Sequence, residues 1–249
     1  MSLARRAVWL GQCLYHRNIR RMKECETLLQ WLAPGPGETI LDIGCGDGFH
    51  TARMAARGAA VVGIDIHRSR LAFAKRHNSR ARLEYRFMDA EKLDLSYNSF
   101  DKVVSFCVIE HFNDEAQVLR NIARVLKPGG LLVLSADSLS NPEVTAAERE
   151  AHRRRYAVKT FYTAAVLREK LANAGLELER VQYLLTSPLT LALVRLSWRL
   201  DDLPRALAPL RALGYLTLGT IGKLASDIAE SGSERAGSGL ILLASARKR

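Results

Sequence analysis

The sequence predicts an α/β fold with a mainly parallel sheet, and two observations lead to this prediction. Short apolar runs alternate with helix-forming stretches of roughly ten residues between positions 40 and 136. The first apolar run ends in a loop with glycine at 44, 46 and 48, and the next run ends at Asp65. Because parallel strands need a crossover connection, usually a helix, this alternation is typical of consecutive βαβ units.

The elements follow one another in a regular order. The predicted strands cover residues 40–43, 60–64, 83–88, 100–108, 131–136, 176–185 and 240–244. The predicted helices cover residues 49–57, 69–78, 115–126 and 164–174. Gly58 and Gly175 end two of these helices, and Thr163 is a good N-cap for the last one. Residues 137–147 are predicted to form a loop.

Composition places few limits on function, apart from charge. The chain has 37 Lys and Arg against 26 Asp and Glu, a net charge of +11. Residues 41–144 carry 14 basic and 13 acidic side chains, so the excess lies in the flanking segments. It indicates either a solvated basic surface or attraction to phosphate groups of anionic lipid or nucleic acid.

The cysteine pattern favours a cytoplasmic protein. Cys13, Cys25, Cys45 and Cys107 form no CxxC pair, so neither a zinc site nor a disulfide framework is predicted. Polar residues interrupt the apolar run after the N-terminal arginine pair, so no signal peptide is predicted. No uncharged apolar stretch reaches the ~18 residues that a membrane-spanning helix needs.

The glycine loop predicts a nucleotide-like ligand. A strand, a glycine loop and a helix bring backbone N–H groups and the positive helix end to one point. Dinucleotide folds use G-x-G-x-x-G here, but Gly48 comes one place early and Phe49 stands where that pattern has glycine. Asp42 would repel a pyrophosphate and suits a cationic group instead. Asp65, at a strand end, is placed to accept both hydroxyl groups of a ribose.

Five motifs in order resemble those of class I S-adenosylmethionine-dependent methyltransferases. They are ILDIGCGDG (40–48), VVGIDI (61–66), MDAEKLDL (88–95), SFDKVVSFCVIEHF (99–112) and LKPGGLLVLSA (126–136). They are similar to the small-molecule branch that includes ubiquinone and menaquinone biosynthesis enzymes. The resemblance implies a Rossmann-like three-layer sandwich, a seven-stranded mainly parallel sheet with an antiparallel last strand, and S-adenosylmethionine as cofactor.

The resemblance also implies a cofactor-binding set. Its members are Asp42, Gly44, Gly46, Gly48, Asp65, Ile66, Asp89, Ala90, Phe106 and Cys107. Asp42 and the glycine loop would hold the methionine end, and Asp65 the ribose. Ile66 would pack on the adenine, and Asp89 with the Ala90 backbone would contact its edge. Phe106 and Cys107 would lie near the methionine portion.

Three residues are candidates for catalysis. An acceptor hydroxyl must lose a proton, and His111 follows the fourth strand, where loops face the ligand. The alternative is that Glu110 and His111 cap the next helix. His152 and Tyr156 lie in a basic segment that either closes over the acceptor or is a plain surface loop. Some quinone O-methyltransferases place a carboxylate before the Glu-His pair and bind a metal, whereas here that position is Cys107, so no metal site is predicted.

The predicted reaction is transfer of a methyl group to a small-molecule or lipid-like acceptor, with O-methylation favoured. The alternatives are an RNA or protein methyltransferase and a catalytically silent protein that binds the cofactor. A nucleic-acid substrate is disfavoured because the segment at 105–112 lacks the Asn/Asp-Pro-Pro-aromatic pattern and the chain has no Pro-Cys nucleophile. The sequence leaves the oligomeric state open.

Two segments outside the core motifs are given separate roles. Residues 1–38 are predicted to form an N-terminal helical lid that includes Tyr15 and His16, and residues 39–249 the methyltransferase domain. Residues 187–238 are predicted to be a helical insertion before the last strand, with apolar residues at helical spacing among basic ones. Its apolar stripe is predicted to be Leu189, Leu193, Leu196 and Leu200, its basic residues are Arg195, Arg199, Arg205, Arg211 and Lys223, and its interface aromatics are Trp198 and Tyr215.

Two interpretations of this insertion stay open. It either covers the active-site mouth or a dimer interface, or its apolar face lies on the cytoplasmic side of a membrane with arginines on anionic headgroups.

Overall fold

A single sheet organises the fold. The computed structural model describes residue 14, residues 16–231 and residues 237–249, except for the side chain of Arg205. Within these ranges the strands are β1 (Thr39–Ile43), β2 (Ala60–Asp65), β3 (Leu83–Phe87), β4 (Phe100–Phe106), β5 (Leu126–Asp137), β6 (Leu176–Leu184) and β7 (Ile241–Lys248). Their order is β3-β2-β1-β4-β5-β7-β6, and β7 runs antiparallel to both of its neighbours. The predicted seven-stranded, mainly parallel sheet is confirmed.

The strand order creates a switch point beside β1. The chain proceeds from β1 through β2 to β3 on one side, and β4 returns to pair with β1 on the other. Connections leave the carboxyl ends of β1 and β4 in opposite directions, so a crevice opens between them. Open α/β sheets bind their ligands in such a crevice. The glycine loop after β1 and the segment after β4 therefore lie where a ligand is expected.

Helices cover both faces of the sheet. They are α1 (Ile19–Leu32), α2 (Phe49–Ala55), α3 (Arg68–His77), α4 (Glu115–Val125), α5 (Ala146–Tyr156), α6 (Ala164–Asn173), α7 (Pro188–Asp201), α8 (Ala208–Thr217) and α9 (Lys223–Ala229). Alternate strand residues face opposite layers. In β1, Ile40 packs in a cluster with residues of α1, α2 and α7, whereas Leu41 packs in a second cluster with residues of α4 and α6. These layers make the three-layer sandwich.

Helix α5 covers the end of the loop predicted at residues 137–147 and the basic segment that contains His152 and Tyr156. Helix α5 begins after Thr145, which forms a capping box with Glu148: Thr145 Oγ1 accepts from the Glu148 backbone N–H, and the Glu148 carboxylate accepts from the Thr145 backbone N–H. Its sequence has almost no apolar periodicity, and only His152 is buried. The helix was missed because its stability comes from the cap and from charged contacts rather than from an apolar stripe.

The insertion is helical and packs on α1. Helices α7, α8 and α9 follow one another, with a π-helical turn (Leu218–Gly222) joining the last two. Lys23 of α1 is buried, and its Nζ lies 2.7 Å from Glu230 Oε2 and 2.9 Å from Ser226 Oγ. A buried pair of this kind is costly to break from one side. The insertion is thereby fixed to the N-terminal helix.

The stripe predicted on α7 is not the buried face of this helix: that face consists of Thr190, Leu191, Val194 and Ser197, and Leu189 and Leu196 of the stripe are exposed. One prediction about the insertion was wrong. Tyr215 is buried against Asp201 rather than available at an interface. Cys13, Tyr15 and residues 1–12 and 232–236 lie outside the described residues. No helix in the described ranges is both long and apolar enough to cross a bilayer.

Candidate active site

The glycine loop has a backbone that only glycine adopts easily. Gly44, Gly46 and Gly48 have φ values of 73°, 55° and 77°, all in the left-handed region. A Cβ on Gly44 would lie 2.5 Å from a methyl carbon of Val108, and one on Gly48 would overlap the Tyr85 hydroxyl. Nothing lies within 4 Å of a Cβ built on Gly46. The loop is closely packed at both ends and open in the middle, as ligand binding requires.

Asp65 fixes this loop to the end of β2. Its Oδ2 accepts from the Gly46 backbone N–H at 2.9 Å, and its Oδ1 accepts from the His67 N–H at 2.7 Å. Each carboxylate oxygen can accept a further hydrogen bond. The carboxylate therefore has acceptor capacity left for ligand hydroxyl groups.

Two exposed apolar side chains flank Asp65. Ile66 is 57% exposed, and Phe87, which pairs with Asp65 across the β2–β3 register, is 49% exposed. Such exposure at a strand end suits an aromatic ligand face. Ile66 was predicted from sequence, whereas Phe87 was not, because its position depends on the strand register.

Asp89 and Ala90 lie just beyond β3. Asp89 Oδ1 accepts from the Glu91 N–H at 2.9 Å and so begins a short 3₁₀ turn. Ala90 is buried, and its carbonyl accepts from the Asn121 side chain. The Asn121 amide thus holds this turn against α4.

Asp42 is a buried carboxyl group with one free oxygen. Its Oδ2 accepts from the Thr51 hydroxyl at 2.7 Å, and its Oδ1 has no hydrogen-bond partner among the described residues. Burial raises the pKa of Asp42 to about 7, and the nearby charge of Asp65 adds to this effect against the opposing Thr51 hydrogen bond. Such an unsatisfied buried oxygen is destabilising and suits a cationic ligand group.

A cleft lies beyond the carboxyl ends of β4 and β5. It has a volume of ≈ 520 Å³, part of it open to solvent, and is lined by Asn18, Arg20, Arg21, Cys107, Glu110, His111, Asp137, Tyr156, Trp198 and Asp201. The lining combines ionisable groups from the sheet edge with two aromatic side chains from α5 and α7. The cleft therefore has a charged base and an aromatic wall.

The base of the cleft is an ionic network. Arg20, from α1, donates to Asp137 Oδ1 and lies 3.7 Å from Cys107 Sγ. Asp137 Oδ2 is 2.7 Å from Nε2 of the buried His152. Although burial acts in the opposite direction, Arg20 and His152 hold the pKa of Asp137 below its ordinary value. Asp137 is therefore ionised between two basic groups.

The neighbouring acids stay protonated. Burial, with the charge of Asp137, raises the pKa of Glu110 well above its ordinary value. Burial and the surrounding carboxyl groups likewise raise the pKa of the Cys107 thiol. Cys107 has a left-handed backbone (φ 48°), which is held by its N–H donating to Ser135 Oγ at 2.9 Å. Its thiol is consequently positioned but not ionised.

His111 has the geometry of a base. It lies in a 3₁₀ turn (Ile109–His111), half-buried, with Nδ1 3.4 Å from the Ala157 carbonyl. If Nδ1 donates this hydrogen bond, Nε2 keeps its lone pair. Burial lowers the pKa of His111, so the ring is neutral near pH 7. The alternative prediction that Glu110 and His111 cap the next helix was wrong, because Asp114 is the N-cap of α4.

The other predicted catalytic residues occupy different positions. His152 is buried behind Asp137 and does not line the cleft, whereas Tyr156 does. Phe106 points away from the cleft: it is buried and stacks on His50 with ring centres 4.7 Å apart. Arg20 and Asp137 are not among the site residues predicted from the sequence. Asp137 ends the LVLSA strand and could have been identified by that position, but no pattern distinguishes Arg20.

The turn before α1 covers the glycine loop. His16 Nε2 is 3.0 Å from Asp47 Oδ2, and its ring stacks on Phe49 with centres 4.1 Å apart. The N-terminal segment therefore contacts the cofactor loop through His16 and the cleft through Arg20.

Together these features define a class: α/β proteins that hold a nucleoside cofactor at the switch point and a second ligand beside it. Comparisons with known proteins specify the class. Residues 41–134 match the family described as a methyltransferase domain. The ubiquinone biosynthesis O-methyltransferase of Pseudomonas paraeruginosa is 35% identical over 165 residues, which cover 62% of this chain and 71% of that protein.

Solved structures show the same fold. An S-adenosylmethionine-dependent methyltransferase from Mesorhizobium loti has a TM-score of 0.64 at 22% identity, covering 90% of this chain and 96% of that one. Phosphoethanolamine N-methyltransferase 2 of Haemonchus contortus, in complex with S-adenosylmethionine, has a TM-score of 0.65 at 21% identity, covering 91% and 52%. The chain belongs to the S-adenosylmethionine-dependent methyltransferases, and S-adenosylmethionine is its cofactor.

The pH dependence of stability should report the buried Asp42. Because folding raises its pKa from 3.8 to about 7, the cofactor-free protein loses stability as pH rises from about 4 to about 7. Asp42→Asn should remove this loss and raise the free energy of unfolding by up to roughly 4 kcal/mol near pH 8. Urea denaturation of both proteins across this range measures the difference.

Asp101 provides a matched variant, for which the expected change in stability has the opposite sign. Although burial acts to raise it, hydrogen bonds from Lys127 and Thr39 lower the pKa of Asp101 to about 2. Asp101→Asn should therefore reduce stability at neutral pH. Equal pH dependence in Asp42→Asn and the unmodified protein would contradict the assignment.

Proposed function

We propose that this methyltransferase methylates a hydroxyl oxygen of a small or lipid-like acceptor. One observation carries the proposal: His111 lines the cleft beyond β4, burial lowers its pKa, and a hydrogen bond donated by Nδ1 to the Ala157 carbonyl would leave Nε2 as an acceptor. A hydroxyl group needs such a base, since it must lose its proton. The name of the Pseudomonas paraeruginosa relative, a ubiquinone biosynthesis O-methyltransferase, agrees with this chemistry.

The residues around the glycine loop fit the cofactor. S-adenosylmethionine, when bound, supplies a methyl group on a positively charged sulfur. We assign the ribose to Asp65 and the methionine end to the glycine loop, with the free Asp42 oxygen as partner for its cationic part. Ile66 and Phe87 flank the adenine, and Asp89 with Ala90 lies at its edge. Cys107 lines the cleft beside the transferred group, and Phe106 supports this wall from behind.

The acceptor side depends on proton transfer and alignment. His111 Nε2 would take the hydroxyl proton as the acceptor oxygen bonds to the methyl carbon and the carbon–sulfur bond of the cofactor breaks, and the imidazolium would release the proton to solvent at the open side of the cleft. Tyr156 and Trp198 form a wall that suits a planar apolar acceptor. His152 acts through Asp137 and is a positioning residue. The described part of the predicted N-terminal lid acts through His16, which contacts the glycine loop, and Arg20, which borders the cleft.

A further part of the proposal concerns location: the insertion binds the cytoplasmic face of an anionic membrane. Seven apolar side chains between 39% and 70% exposed lie within α8, α9 and the turns that adjoin them: Leu207, Leu210, Leu213, Leu216, Ile221, Leu224 and Ile228. Exposed apolar faces of this kind lie on membranes or on partners.

The basic residues of the insertion divide into two groups. Arg195 pairs with Glu148 at 2.6 Å, and Lys223 pairs with Glu26 and Asp227. These two basic side chains therefore form ion pairs within the protein. Arg199 is exposed and Arg211 half-buried, and both stay available for headgroups. Each basic side chain near an anionic leaflet contributes roughly 1 kcal/mol. A membrane position would bring a lipid-like acceptor to the cleft.

Loss of the Asp65 carboxylate should weaken cofactor binding. Asp65→Ala should raise the Kd for S-adenosylmethionine roughly 10- to 100-fold, because it removes charge-assisted hydrogen bonds and releases the glycine loop. Isothermal titration calorimetry measures this change, with Asp94→Ala as an exposed control. An unchanged Kd in Asp65→Ala would exclude the assigned site.

The acceptor and the base are tested together. The protein is incubated with methyl-labelled cofactor and a fractionated cell extract, and label is expected in a lipid or small-metabolite fraction as a methyl ether. With that acceptor, His111→Ala should lower kcat roughly 100-fold and leave the cofactor Kd within about twofold. His77→Ala, on α3 away from the cleft, is the control. Label in RNA or protein, or equal losses of kcat and affinity in His111→Ala, would contradict the proposal.

Membrane binding is measured by co-sedimentation with liposomes. Binding should require anionic lipid, weaken at high salt, and fall when Leu213, Leu224 and Ile228 are changed to Ser. Tyr97→Ser, an exposed aromatic outside the insertion, should bind like the unmodified protein. A different result would assign the surface to a dimer interface. In that case the protein would not sediment with liposomes, and its mass in solution would be that of a dimer until these three residues were replaced.

A further inference from the structure

A cluster at the base of the cleft has the composition of a cation site. One ligand atom each from Cys107, Glu110 and Asp137 lies within 4.8 Å of the others, and all three side chains border the cleft. Some quinone O-methyltransferases bind a divalent metal through a carboxylate at the position where this chain has Cys107. Whether these side chains can bind such an ion depends on which positively charged groups of the protein already contact them.

The cluster does not fit a divalent metal, because a guanidinium group already occupies it. Arg20 donates to Asp137 and contacts the Cys107 sulfur, so its charge lies among the same ligand atoms. Oxygen-preferring ions also require carboxylates, and one of the three positions is a thiol. An ion could enter only by displacing Arg20 from an ion pair in which Asp137 is 3% exposed.

The position of Arg20 is fixed by its helix. Asn18 caps α1 by accepting from the Arg20 N–H, and Lys23 fixes the same helix to the insertion. The Arg20 side chain is 15% exposed and borders the cleft. Its buried Nε has no hydrogen-bond partner among the described residues. A buried donor of this kind is costly unless a ligand satisfies it.

We infer that Arg20 takes the place of a divalent metal ion and binds the acceptor oxygen that loses its proton. The role as oxyanion partner rests on the proposed O-methylation, whereas the replacement of the metal does not. The guanidinium stabilises negative charge on the oxygen while His111 holds the proton. Asp137 and His152 keep the guanidinium in place from the opposite side.

The metal replacement is tested without any acceptor. Calorimetry with Mn²⁺ and Zn²⁺ should detect no site in the unmodified protein up to about 1 mM. Arg20→Met exposes the ligand atoms and should bind Zn²⁺ at least about tenfold more tightly, and Arg20→Met with Cys107→Ala should lose this gain. Arg168→Met, on the surface of α6, is the control. A metal site in the unmodified protein, or no gain in Arg20→Met, would overturn the inference.

The oxyanion role is tested with 4-nitrophenol, whose ionised form absorbs visible light. In the presence of S-adenosylhomocysteine, the bound phenol should ionise at a pH lower by about one unit than the free phenol. Arg20→Met should abolish this shift and Arg20→Lys should retain part of it, with circular dichroism confirming that both variants fold. Equal shifts in all three proteins, or no spectral change with the unmodified one, would overturn this role. Failure to find a hydroxyl acceptor in extract would leave the metal result standing.

Discussion

The ion pair between Arg20 and Asp137 joins the N-terminal helix to the carboxyl end of β5, and much of the site depends on it. Asp137 is nearly inaccessible, so its charge is tolerated only because Arg20 and His152 contact its two oxygens. With that charge fixed, Glu110 and Cys107 remain protonated nearby. This interaction thus connects α1 to the edge of the sheet and sets the charge distribution around Asp137.

This arrangement separates the two ligand sites electrostatically. On the cofactor side, Asp42 and Asp65 present acidic groups to a cationic ligand. On the proposed acceptor side, Arg20 would supply a positive charge and His111 a base. In the proposed reaction the acceptor oxygen develops negative charge as it loses its proton, and the Arg20 guanidinium would stabilise that charge.

Much of the sheet could be predicted from sequence, because its strands are buried apolar runs separated by glycine turns. The glycine loop and Asp65 were identified for the same reason: their geometry follows from consecutive residues. The cleft was harder, since Arg20, Asp137 and His111 come together only through tertiary packing. Helix α5 lacked an apolar stripe, and the exposure of Phe87 depends on strand register. Residues that act locally could therefore be predicted, and those that act across the sheet edge could not.

The two backbone hydrogen bonds to Asp65 have a thermodynamic consequence. The bond from the His67 N–H fixes the carboxylate, and the bond from the Gly46 N–H holds the glycine loop in place in the absence of any ligand, so the loss of backbone entropy belongs to folding rather than to binding. A ligand that meets a pre-organised loop keeps more of its interaction free energy as affinity. Substitutions in this loop will accordingly change both the stability of the free protein and its affinity for the ligand. Either quantity therefore reports how well the loop is pre-organised.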